Sequence, residues 1–343
     1  MKRVNVALLG FGSLGQSFAK LLLEKKEEME REYDTSVNVV AITTKTRGNL
    51  VDAWGIDLER VLKNIQETGV FPKTSETMLQ RNSLDVAEAV EYDVLIEMTP
   101  LEFSTGQMAT NHVKAALKRG KHVICANKGP MAWHYQELKS LAKKNNCRCL
   151  CETTVMDGTP VFSTVRKNLK LCKVQEIRGI INSTTNYILK ELEEGKDLKT
   201  AVAEGKKLGI IETNPNNDLE GNEAAAKLAA LVNGMMNADI TPNDIKIEGI
   251  DKVTKEQLDA AAAKGKVIKM ICDAKNEDGK ITAMVGPVEL DPDDVMANVN
   301  GTSMAISITT DLMGTITIME EAPGMQQAGY GVFSDLMTLI KDM

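Results

Sequence analysis

The sequence predicts an α/β protein in which an N-terminal parallel sheet, covered by helices on both faces, is followed by an α+β domain. Short apolar runs alternate with helical stretches through the first half of the chain, which is typical of a parallel sheet buried on both faces. Runs rich in β-branched residues follow in the second half. The length of 343 residues favours two domains.

Strands and helices alternate in order through the first half. Residues 4–10 are mostly apolar and residues 37–42 are rich in β-branched side chains, so both are predicted strands. Residues 16–32 between them carry apolar side chains near helical spacing, which predicts a helix. The polar stretch 76–91 is expected at the surface. The next predicted elements are the strand 94–98, the helix 109–119 and the strand 122–126.

The pattern changes near residue 150, which predicts a domain boundary. We expect a first domain over residues 1–150, on which the C-terminal helix 322–343 packs, and a second domain over residues 151–321. The elements predicted after the boundary are strands at 174–181, 266–274 and 280–290, helices at 186–194, 222–234, 255–264 and 327–343, and further β-branched residues at 303–317.

The composition excludes several classes of protein. A hydrophobic fraction of 43% with 26% charged residues excludes disordered, collagen-like and small disulfide-rich chains. No apolar run reaches the roughly 18 residues of a membrane span. A net charge of −7 and an aromatic fraction of 4% disfavour nucleic-acid binding. Six cysteines without a signal peptide favour the reducing cytoplasm.

Three of the cysteines, Cys147, Cys149 and Cys151, alternate as the residues of a strand do, which would place all three on one face. Such thiolates could bind a soft metal, but no CxxC pair or neighbouring histidine completes a set of four ligands. Since free cysteine is among the most buried residue types, we expect buried strand cysteines instead of a metal site.

A glycine-rich turn follows the first predicted strand. Its GxGxxG motif is formed by Gly10, Phe11, Gly12, Ser13, Leu14 and Gly15. In this position the glycines allow a tight turn, the close approach of a pyrophosphate and close helix–strand packing, and the helix N-terminus attracts the phosphates. The motif predicts a Rossmann-type dinucleotide-binding domain. The alternative is a turn that only packs the helix against the sheet.

The end of the second predicted strand favours NADP over NAD. An NAD site usually has an acidic residue there, which binds the ribose hydroxyls. This chain has Thr44, Lys45 and Arg47 at that place and no acid. Hydroxyl groups and two cations suit a ribose 2′-phosphate. The alternative is a solvated turn.

Two lysines are candidates for proton transfer. Lys128 comes just after a predicted strand, where ligand crevices form in α/β sheets. Lys227 follows Glu223 by four residues, so both share one face of a helix. The neighbours of Lys227 are apolar, which predicts a buried helix, and burial moves the pKa of a lysine towards the range useful for proton transfer. The alternatives are a solvated lysine and a surface ion pair.

Several segments together resemble the homoserine dehydrogenase family, and the resemblance covers nearly the whole chain. The matching segments are GFGSLG, ANKGP, ETTVMDGTP, GIINSTTNYIL, LGIIETNPNNDLEGNEAAAKL and APGMQQAGYGVFSDL. The fifth contains the family's signature, which here comprises Gly209, Pro215, Asp218, Gly221, Glu223 and Lys227. Members reduce aspartate 4-semialdehyde to homoserine with a nicotinamide cofactor, on the route to threonine and methionine, and they form dimers.

The resemblance implies a role for each of these segments. Lys128 and Lys227 belong to the proton-transfer machinery, and Thr99, Pro100, Asn127, Lys128 and Gly324 to the cofactor site. The substrate would be bound by Glu212, Asp218, Glu223, Ser183 and Thr184. The family often binds a monovalent cation, which here would contact Glu152, Val155, Asp157 and Thr159. The second domain would bind the substrate and form the dimer.

Some positions depart from the family pattern. Glu223 replaces an aspartate, Ile210 a tyrosine and Ser183 a glycine, and Asp157 stands where small residues are common. A dehydrogenase of another small amino or hydroxy acid is therefore an alternative. A third class, a non-catalytic protein that senses nucleotides, is disfavoured because a sensor has no need for paired lysines and acids.

Overall fold

The computed structural model describes residues 1–72 and 82–343. The chain divides into two compact units, one formed by Met1–Pro160 with Gly324–Met343 and the other by Val161–Pro323. The boundary between the units follows Pro160, whereas the sequence predicted it near residue 150. The predicted surface stretch 76–91 lies partly outside the described residues, and its described part contains a short helix that buries Val86 and Ala87.

The first unit is built on a six-stranded sheet with the order β3-β2-β1-β4-β5-β6. All neighbouring strands are parallel except β3, which pairs antiparallel with β2 at the edge. This arrangement confirms the predicted Rossmann-type parallel sheet. The strands are β1 Lys2–Leu9, β2 Thr35–Thr43, β3 Asn49–Val51, β4 Val94–Glu97, β5 His122–Cys125 and β6 Cys149–Leu150.

Helices of the first unit pack against this sheet. They are α1 Ser13–Glu24, α2 Lys26–Tyr33, α3 Leu58–Thr68, α4 Ser83–Ala89, α5 Gln107–Lys118, α6 Lys128–Trp133, α7 Tyr135–Lys144 and α14 Met325–Asp342. The single helix predicted over residues 16–32 is wrong, since the chain leaves helical geometry at Lys25 and forms α1 and α2. Val332 and Leu336 of α14 lie in the same buried core as Val6 and Phe18.

The three clustered cysteines do not share one strand face. β6 contains only Cys149 of the three, because pairing with β5 extends over two residues. Cys147 precedes the strand, and its thiol contacts the carbonyl oxygens of Leu117 and Ala142. Burial raises the pKa of the Cys149 thiol to about 12. Within residues 1–72 and 82–343, no group of three cysteine, histidine or acidic side chains is placed to hold a metal ion.

The second unit contains a six-stranded sheet with the order β12-β11-β7-β9-β10-β8. Its pairs are antiparallel except for the short pair β10–β8. The strands are β7 Val174–Ile180, β8 Lys246–Ile247, β9 Val267–Glu277, β10 Lys280–Leu290, β11 Met304–Thr310 and β12 Gly314–Glu320. This second sheet with its helices confirms the predicted α+β architecture.

Six helices belong to the second unit: α8 Val161–Asn168, α9 Ser183–Glu193, α10 Leu198–Lys207, α11 Asn216–Leu219, α12 Asn222–Met235 and α13 Lys255–Ala262. α9, α12 and α13 contact β9, a central strand. α12 is buried from Ala224 to Asn233, as its apolar sequence predicts. No helix in the described part of the chain combines the length and apolar character that a membrane span requires.

A buried lysine ties β9 to its neighbours in the second unit. Lys269 is only 1% exposed. Its ammonium donates to the carbonyl oxygen of Val299 at 2.6 Å and to the side-chain oxygens of Asn300 at 3.1 Å and Asn186 at 3.2 Å. Three acceptors therefore match the three donors of the ammonium group. Burial nevertheless lowers the pKa of Lys269 to about 8.

Candidate functional site

The glycine-rich turn joins β1 to α1 in the first unit. Gly10 has a φ of +99°, and a Cβ there would lie 2.4 Å from the carbonyl oxygen of Met98. A Cβ on Gly15 would lie 3.0 Å from the Gly10 oxygen and 3.2 Å from the Phe11 ring. A Cβ on Gly12 would meet nothing within 4 Å. Gly10 and Gly15 thus serve the fold, whereas Gly12 leaves open space at the start of α1.

This open space suits a phosphate group. Gly12 precedes the first residue of α1, Ser13, and both are exposed, while Leu14 is half-buried and Phe11 is buried. The first N–H groups of a helix have no partner inside the helix, and the helix dipole attracts anions there. A pyrophosphate could therefore approach the backbone at Gly12 without meeting a side chain.

The loop after β2 carries positive charge to the glycine turn. The Arg47 guanidinium donates to the carbonyl oxygens of Phe11 at 2.8 Å and Gly69 at 3.2 Å. The Thr44 hydroxyl accepts a hydrogen bond from the Arg47 backbone N–H at 2.9 Å, which shapes the loop. Lys45 is exposed. The loop thus brings Arg47 to the turn, carries the exposed Lys45 two residues away, and keeps the Thr44 hydroxyl bonded to Gly48 and Arg47.

The loops after β4 and β5 are joined by Asn127. Its Nδ2 donates to the carbonyl oxygens of Thr99 at 2.7 Å and Pro100 at 3.3 Å. Its Oδ1 accepts from the Gly129 N–H at 2.9 Å and caps α6. Lys128 is the first residue of α6 and is half-buried. The four residues expected at the cofactor from these two loops therefore lie together, at the carboxyl ends of neighbouring parallel strands.

The start of α14 lies beside the start of α1. The Ser17 hydroxyl of α1 donates to the carbonyl oxygen of Met325 at 3.0 Å. Gly324 precedes α14, and its N–H donates to the Gln327 side chain at 3.1 Å. Gly324 therefore lies on the same side of the first unit as the glycine turn.

The turn expected to hold a cation also belongs to the first unit. Glu152 opens a 3₁₀ turn and is buried, with its N–H donating to Asp335 at 2.8 Å. Val155 follows this turn, and Asp157 has a left-handed φ of +44°. The Thr159 N–H donates to the Met156 carbonyl oxygen at 2.8 Å. The four predicted residues thus share one compact turn.

In the second unit, a buried carboxylate and a buried lysine lie near the end of β7. Asp218 accepts a hydrogen bond from the Asn182 amide at 2.6 Å. Lys227 donates to the carbonyl oxygen of Ile181 at 2.9 Å. Asp218 and Lys227 are each 9% exposed, so both charges lie in a largely desolvated site. Ile181 and Asn182, which bind them, are adjacent in the chain.

The electrostatics of Asp218 show which charges surround it. Burial is the main cause that raises the pKa of Asp218 to about 6, and the negative charge of Glu223 adds to it. The hydrogen bond from Asn182 and the charge of Lys227 oppose this rise in pKa, and Glu212 contributes a smaller increase. Although Glu212 itself is exposed, these acids and the lysine form one interacting cluster.

The first turn of α9 adjoins the same cluster. Asn182 caps this helix, because its Oδ1 accepts from the Thr185 N–H at 2.8 Å. Ser183 and Thr184 are the first two helical residues, and their N–H groups are at the positions that a helix leaves unpaired. Asn182 therefore touches both the carboxylate and the helix start.

Asn182 is the site residue that sequence reasoning missed. A polar residue directly after a buried strand is the signal that could have identified it, because the ends of strands often carry functional groups. Cys272 on β9 was also not singled out. Burial raises the pKa of its thiol to about 12, and the positive charge of Lys227 opposes this rise.

Comparisons with known proteins match both parts of the chain. The family model "Homoserine dehydrogenase, NAD binding domain" matches residues 10–152, and the model "Homoserine dehydrogenase" matches residues 160–337. The chain is 36% identical to the homoserine dehydrogenase of Methanocaldococcus jannaschii, over 97% of this chain and 98% of the relative. It is 30% identical to the NAD(+)-dependent homoserine dehydrogenase of Pseudomonas canavaninivorans, over 98% and 96% of the two chains.

Solved structures agree with these matches. A hyperthermophilic archaeal homoserine dehydrogenase in complex with NADPH is similar with a TM-score of 0.85 and 27% identity, over 99% of this chain and 98% of that one. A homoserine dehydrogenase from Thiobacillus denitrificans is similar with a TM-score of 0.84 and 26% identity, over 99% of this chain and 74% of that one.

Proposed function

The chain belongs to the homoserine dehydrogenase family of NAD(P)-dependent oxidoreductases, and from that premise we propose how it interconverts L-aspartate 4-semialdehyde and L-homoserine. The first unit would bind the cofactor and the second unit the substrate. The buried cluster of Asn182, Asp218 and Lys227 carries this proposal, because it combines groups that bind an ammonium with a group that can protonate an alkoxide.

The cofactor would bind at the glycine turn, with its pyrophosphate at Gly12 and the start of α1. NADP is the proposed preference. The support is the loop with Thr44, Lys45 and Arg47, whose two cations and hydroxyl group suit a ribose 2′-phosphate. Comparing kcat/KM for NADP and NAD tests this preference, and Lys45→Glu should lower the ratio. A higher kcat/KM for NAD in the unaltered protein would contradict it.

The substrate would be held at both ends by the second unit. Its ammonium would bind the acids Asp218, Glu212 and Glu223, which form one electrostatic cluster. Its carboxylate would bind the first N–H groups of α9, at Ser183 and Thr184, since a helix N-terminus attracts anions. These two contacts would orient the carbon that is reduced.

Lys227 would act as the proton donor. The nicotinamide cofactor supplies the hydride when it is bound. Addition of hydride to a carbonyl group leaves an alkoxide, which a nearby ammonium can stabilise and protonate. The hydrogen bond to the Ile181 carbonyl oxygen holds the Lys227 ammonium in a largely desolvated site, where its charge acts strongly. Lys128 is proposed as the second lysine of the proton-transfer machinery.

Lys227→Met tests the assignment of the proton donor. The variant should lower kcat for L-homoserine oxidation with NADP by about 100-fold or more, because general acid–base groups contribute about that much. Its circular dichroism spectrum should stay unchanged. Lys190→Met, which removes a partly exposed lysine of α9, is the control and should keep its activity. A Lys227→Met variant with unchanged kcat would refute the role.

A panel of small hydroxy acids tests the substrate. Oxidation of L-homoserine should be the fastest reaction. If L-homoserine is not turned over but another small amino or hydroxy acid is, the substrate assignment is wrong. Turnover of none of them, together with tight NADPH binding, would favour a nucleotide sensor.

The proposal includes a homodimer that forms through the sheet of the second unit. β12 lies at one edge of that sheet, and among the described strands it pairs with β11 alone. Its outer side chains include exposed Thr315, Thr317 and Met319. An edge strand of this kind is ready to pair with another chain. Sedimentation should give twice the chain mass of 37.5 kDa, and a monomer at micromolar concentration would contradict the dimer.

A monovalent cation and a cytoplasmic location complete the proposal. The cation would be held by the turn that contains Glu152, Val155, Asp157 and Thr159, whose oxygen atoms belong to two carboxylates, one hydroxyl group and the backbone. Activity should then depend on the concentration of potassium or sodium, and Glu152→Gln should weaken that dependence. All six cysteines are free, which is typical of a reducing compartment.

A further inference from the structure

A buried carboxylate and a buried imidazole meet at the carboxyl end of β4. Glu97 is fully buried and His112 is 1% exposed. Oε2 of Glu97 and Nδ1 of His112 are 2.7 Å apart. Glu97 ends β4, and His112 lies in α5, the helix that follows it. Burial of a carboxylate costs several kcal/mol unless hydrogen bonds compensate it, so each contact of this pair matters.

Hydrogen bonds hold both sides of the His112 ring. The second ring nitrogen, Nε2, is 2.8 Å from the hydroxyl oxygen of Ser83, the first residue of α4. A carboxylate can only accept hydrogen bonds, so the hydrogen between His112 and Glu97 belongs to Nδ1. The ring is therefore fixed between α4 and the end of β4, with its Nδ1–H aimed at Glu97.

The other carboxylate oxygen of Glu97 holds the loop that follows β4. Oε1 accepts a hydrogen bond from the Thr99 N–H at 2.7 Å and a further short one from the Thr99 hydroxyl group. Three donors thus converge on one carboxylate, two from Thr99 and one from His112. Removal of the carboxylate would leave the Thr99 N–H and the His112 ring without this acceptor.

Asn127 carries this constraint to the next loop. Its Nδ2 donates to the Thr99 carbonyl oxygen at 2.7 Å, and its Oδ1 accepts from the Gly129 N–H at 2.9 Å. Lys128 lies between Asn127 and Gly129. A continuous series of hydrogen bonds therefore runs from Ser83 through His112, Glu97, Thr99 and Asn127 to the start of α6.

We propose that Glu97 and His112 are positioning residues that hold the two cofactor-binding loops, after β4 and after β5, in their binding conformation. The role in cofactor binding rests on the proposed function, while the role in loop order does not. Neither side chain reaches the surface, so both act through Thr99 and Asn127. The loops expected to contact the cofactor need this support, because their backbone groups bind the cofactor tightly only if their positions are fixed before it binds.

The first test measures NADPH binding by nicotinamide fluorescence in Glu97→Ala. Loss of hydrogen bonds to a charged group should raise the Kd for NADPH about tenfold. The KM for L-homoserine should stay within about twofold of wild type. Glu97→Gln keeps an acceptor for Thr99 and should restore most of the affinity. A general loss of packing would change both constants and would not be rescued by glutamine.

Asp93→Ala is the matched control. Asp93 precedes β4 at the opposite end of the strand, and its Oδ2 accepts from the Asn5 N–H at 2.8 Å. The variant removes a carboxylate acceptor directly before the same strand and leaves the loops after β4 and β5 unchanged. Its Kd for NADPH should equal that of wild type. A Kd within twofold of wild type in Glu97→Ala, or an equal rise in Asp93→Ala, would overturn the proposal.

Two variants of His112 decide the question if Glu97→Ala does not fold. The amide nitrogen of asparagine can take the place of Nδ1, whereas that of glutamine takes the place of Nε2. His112→Asn should therefore keep the donor to Glu97 and bind NADPH more tightly than His112→Gln. Equal affinities, or the reverse order, would overturn the positioning role.

Hydrogen exchange separates this inference from the proposed function. Without any cofactor, peptides that span residues 97–101 and 126–131 should both exchange faster in Glu97→Ala than in wild type, whereas the β1 peptide should not change. If wild type fails to bind NADPH, the proposed function is wrong. The exchange rates still test whether Glu97 keeps the two loops ordered. Unchanged exchange in both loop peptides would overturn the inference.

Discussion

Burial and charge at Asp218 determine the pH range in which the proposed substrate site works. Its pKa is raised to about 6, mainly by burial and next by the charge of Glu223. Below this pH the carboxyl group is neutral and loses its attraction for the substrate ammonium. Above it, the ionised group would bind the ammonium in the proposed site, so the proposed activity needs the form that burial disfavours.

We expect kcat/KM for L-homoserine to fall as the pH drops through about 6. At pH 5 it should be about tenfold below its plateau, because kcat/KM reports the ionisation of the free enzyme. A profile from pH 5 to 8 measures this. Asp273→Asn removes another carboxylate whose pKa is raised by burial, on β9, and should leave the profile unchanged. A flat profile down to pH 5 would contradict the role of Asp218.

The same shift makes Asp218 costly for stability at neutral pH. Its folded-state pKa is above the ordinary value of 3.8, so between pH about 4 and about 6 the folded state binds more protons than the unfolded chain. The stability contribution of this group is therefore present at low pH and is lost as the pH rises through about 6. The site therefore keeps an ionisable group although its charged form lowers the stability of the folded state at neutral pH.

Two buried lysines show how far single residues could be predicted. Lys227 could be predicted because the neighbouring residues of its helix are apolar and Glu223 precedes it by four residues. Lys269 stands among mostly apolar residues of β9, and its partners Asn186, Val299 and Asn300 are distant in the chain. Its burial depends on packing between elements, which local pattern does not contain.

At the scale of an element, the β1–α1 turn separates the two uses of glycine. Gly12→Ala should leave the melting temperature unchanged, because the added Cβ meets nothing within 4 Å. It should raise the Kd for NADPH at least tenfold, since the methyl group would occupy the approach to the pyrophosphate. Thermal melts and fluorescence titration measure the two effects.

Gly10→Ala is the contrasting variant. Its Cβ would lie 2.4 Å from the Met98 carbonyl oxygen, at a φ of +99°, so it should destabilise the first unit by several kcal/mol. If Gly12→Ala bound NADPH as wild type does, the turn would not be the phosphate site, and the glycine motif would serve packing alone.

Elements with a clear period were predicted well and irregular ones were not. The strand expected at residues 280–290 is β10, Lys280–Leu290, and the helix expected at 222–234 is α12, Asn222–Met235. The helix expected at residues 16–32 is divided at Lys25. The sequence does not predict this break, because the charged residues that follow Lys25 are as compatible with a continuous helix as with two helices. The short edge strand β3 was missed, since three residues hold too little pattern.

The whole molecule divides its chemistry between two units, each with its own buried core. The first contains the glycine turn and the loops beside it, and the second contains Asp218 and Lys227. A ligand that binds only the folded form stabilises the part that binds it. Cofactor binding should therefore act mainly on the first unit.

We expect NADPH at 100 times its Kd to stabilise the first unit by about 2.7 kcal/mol. Native-state hydrogen exchange with and without NADPH should show the added protection in peptides from Met1–Pro160 and Gly324–Met343. L-homoserine alone should protect peptides near Asn182 and Asp218 instead. Protection by NADPH mainly within the core of β7, β9 and β10 would contradict this division.

The fold class could be predicted from the alternation of strands and helices and from the length of the chain. The assembly of the proposed substrate site could not. Asn182, Asp218 and Lys227 belong to separate segments, and they meet because α11 and α12 pack near the end of β7. Resemblance to the family supplied Asp218 and the role of Lys227. Asn182 became visible only through its contacts with Asp218 and the start of α9.

The return of α14 to the first unit has a consequence for protein synthesis. Residues from Gly324 onwards leave the ribosome after all of Val161–Pro323, yet they complete the core that begins with β1. The second unit is continuous in sequence, so it can finish folding while the first still lacks α14. The nascent cofactor-binding unit thus exposes the apolar surface of α1 until translation reaches its last helix.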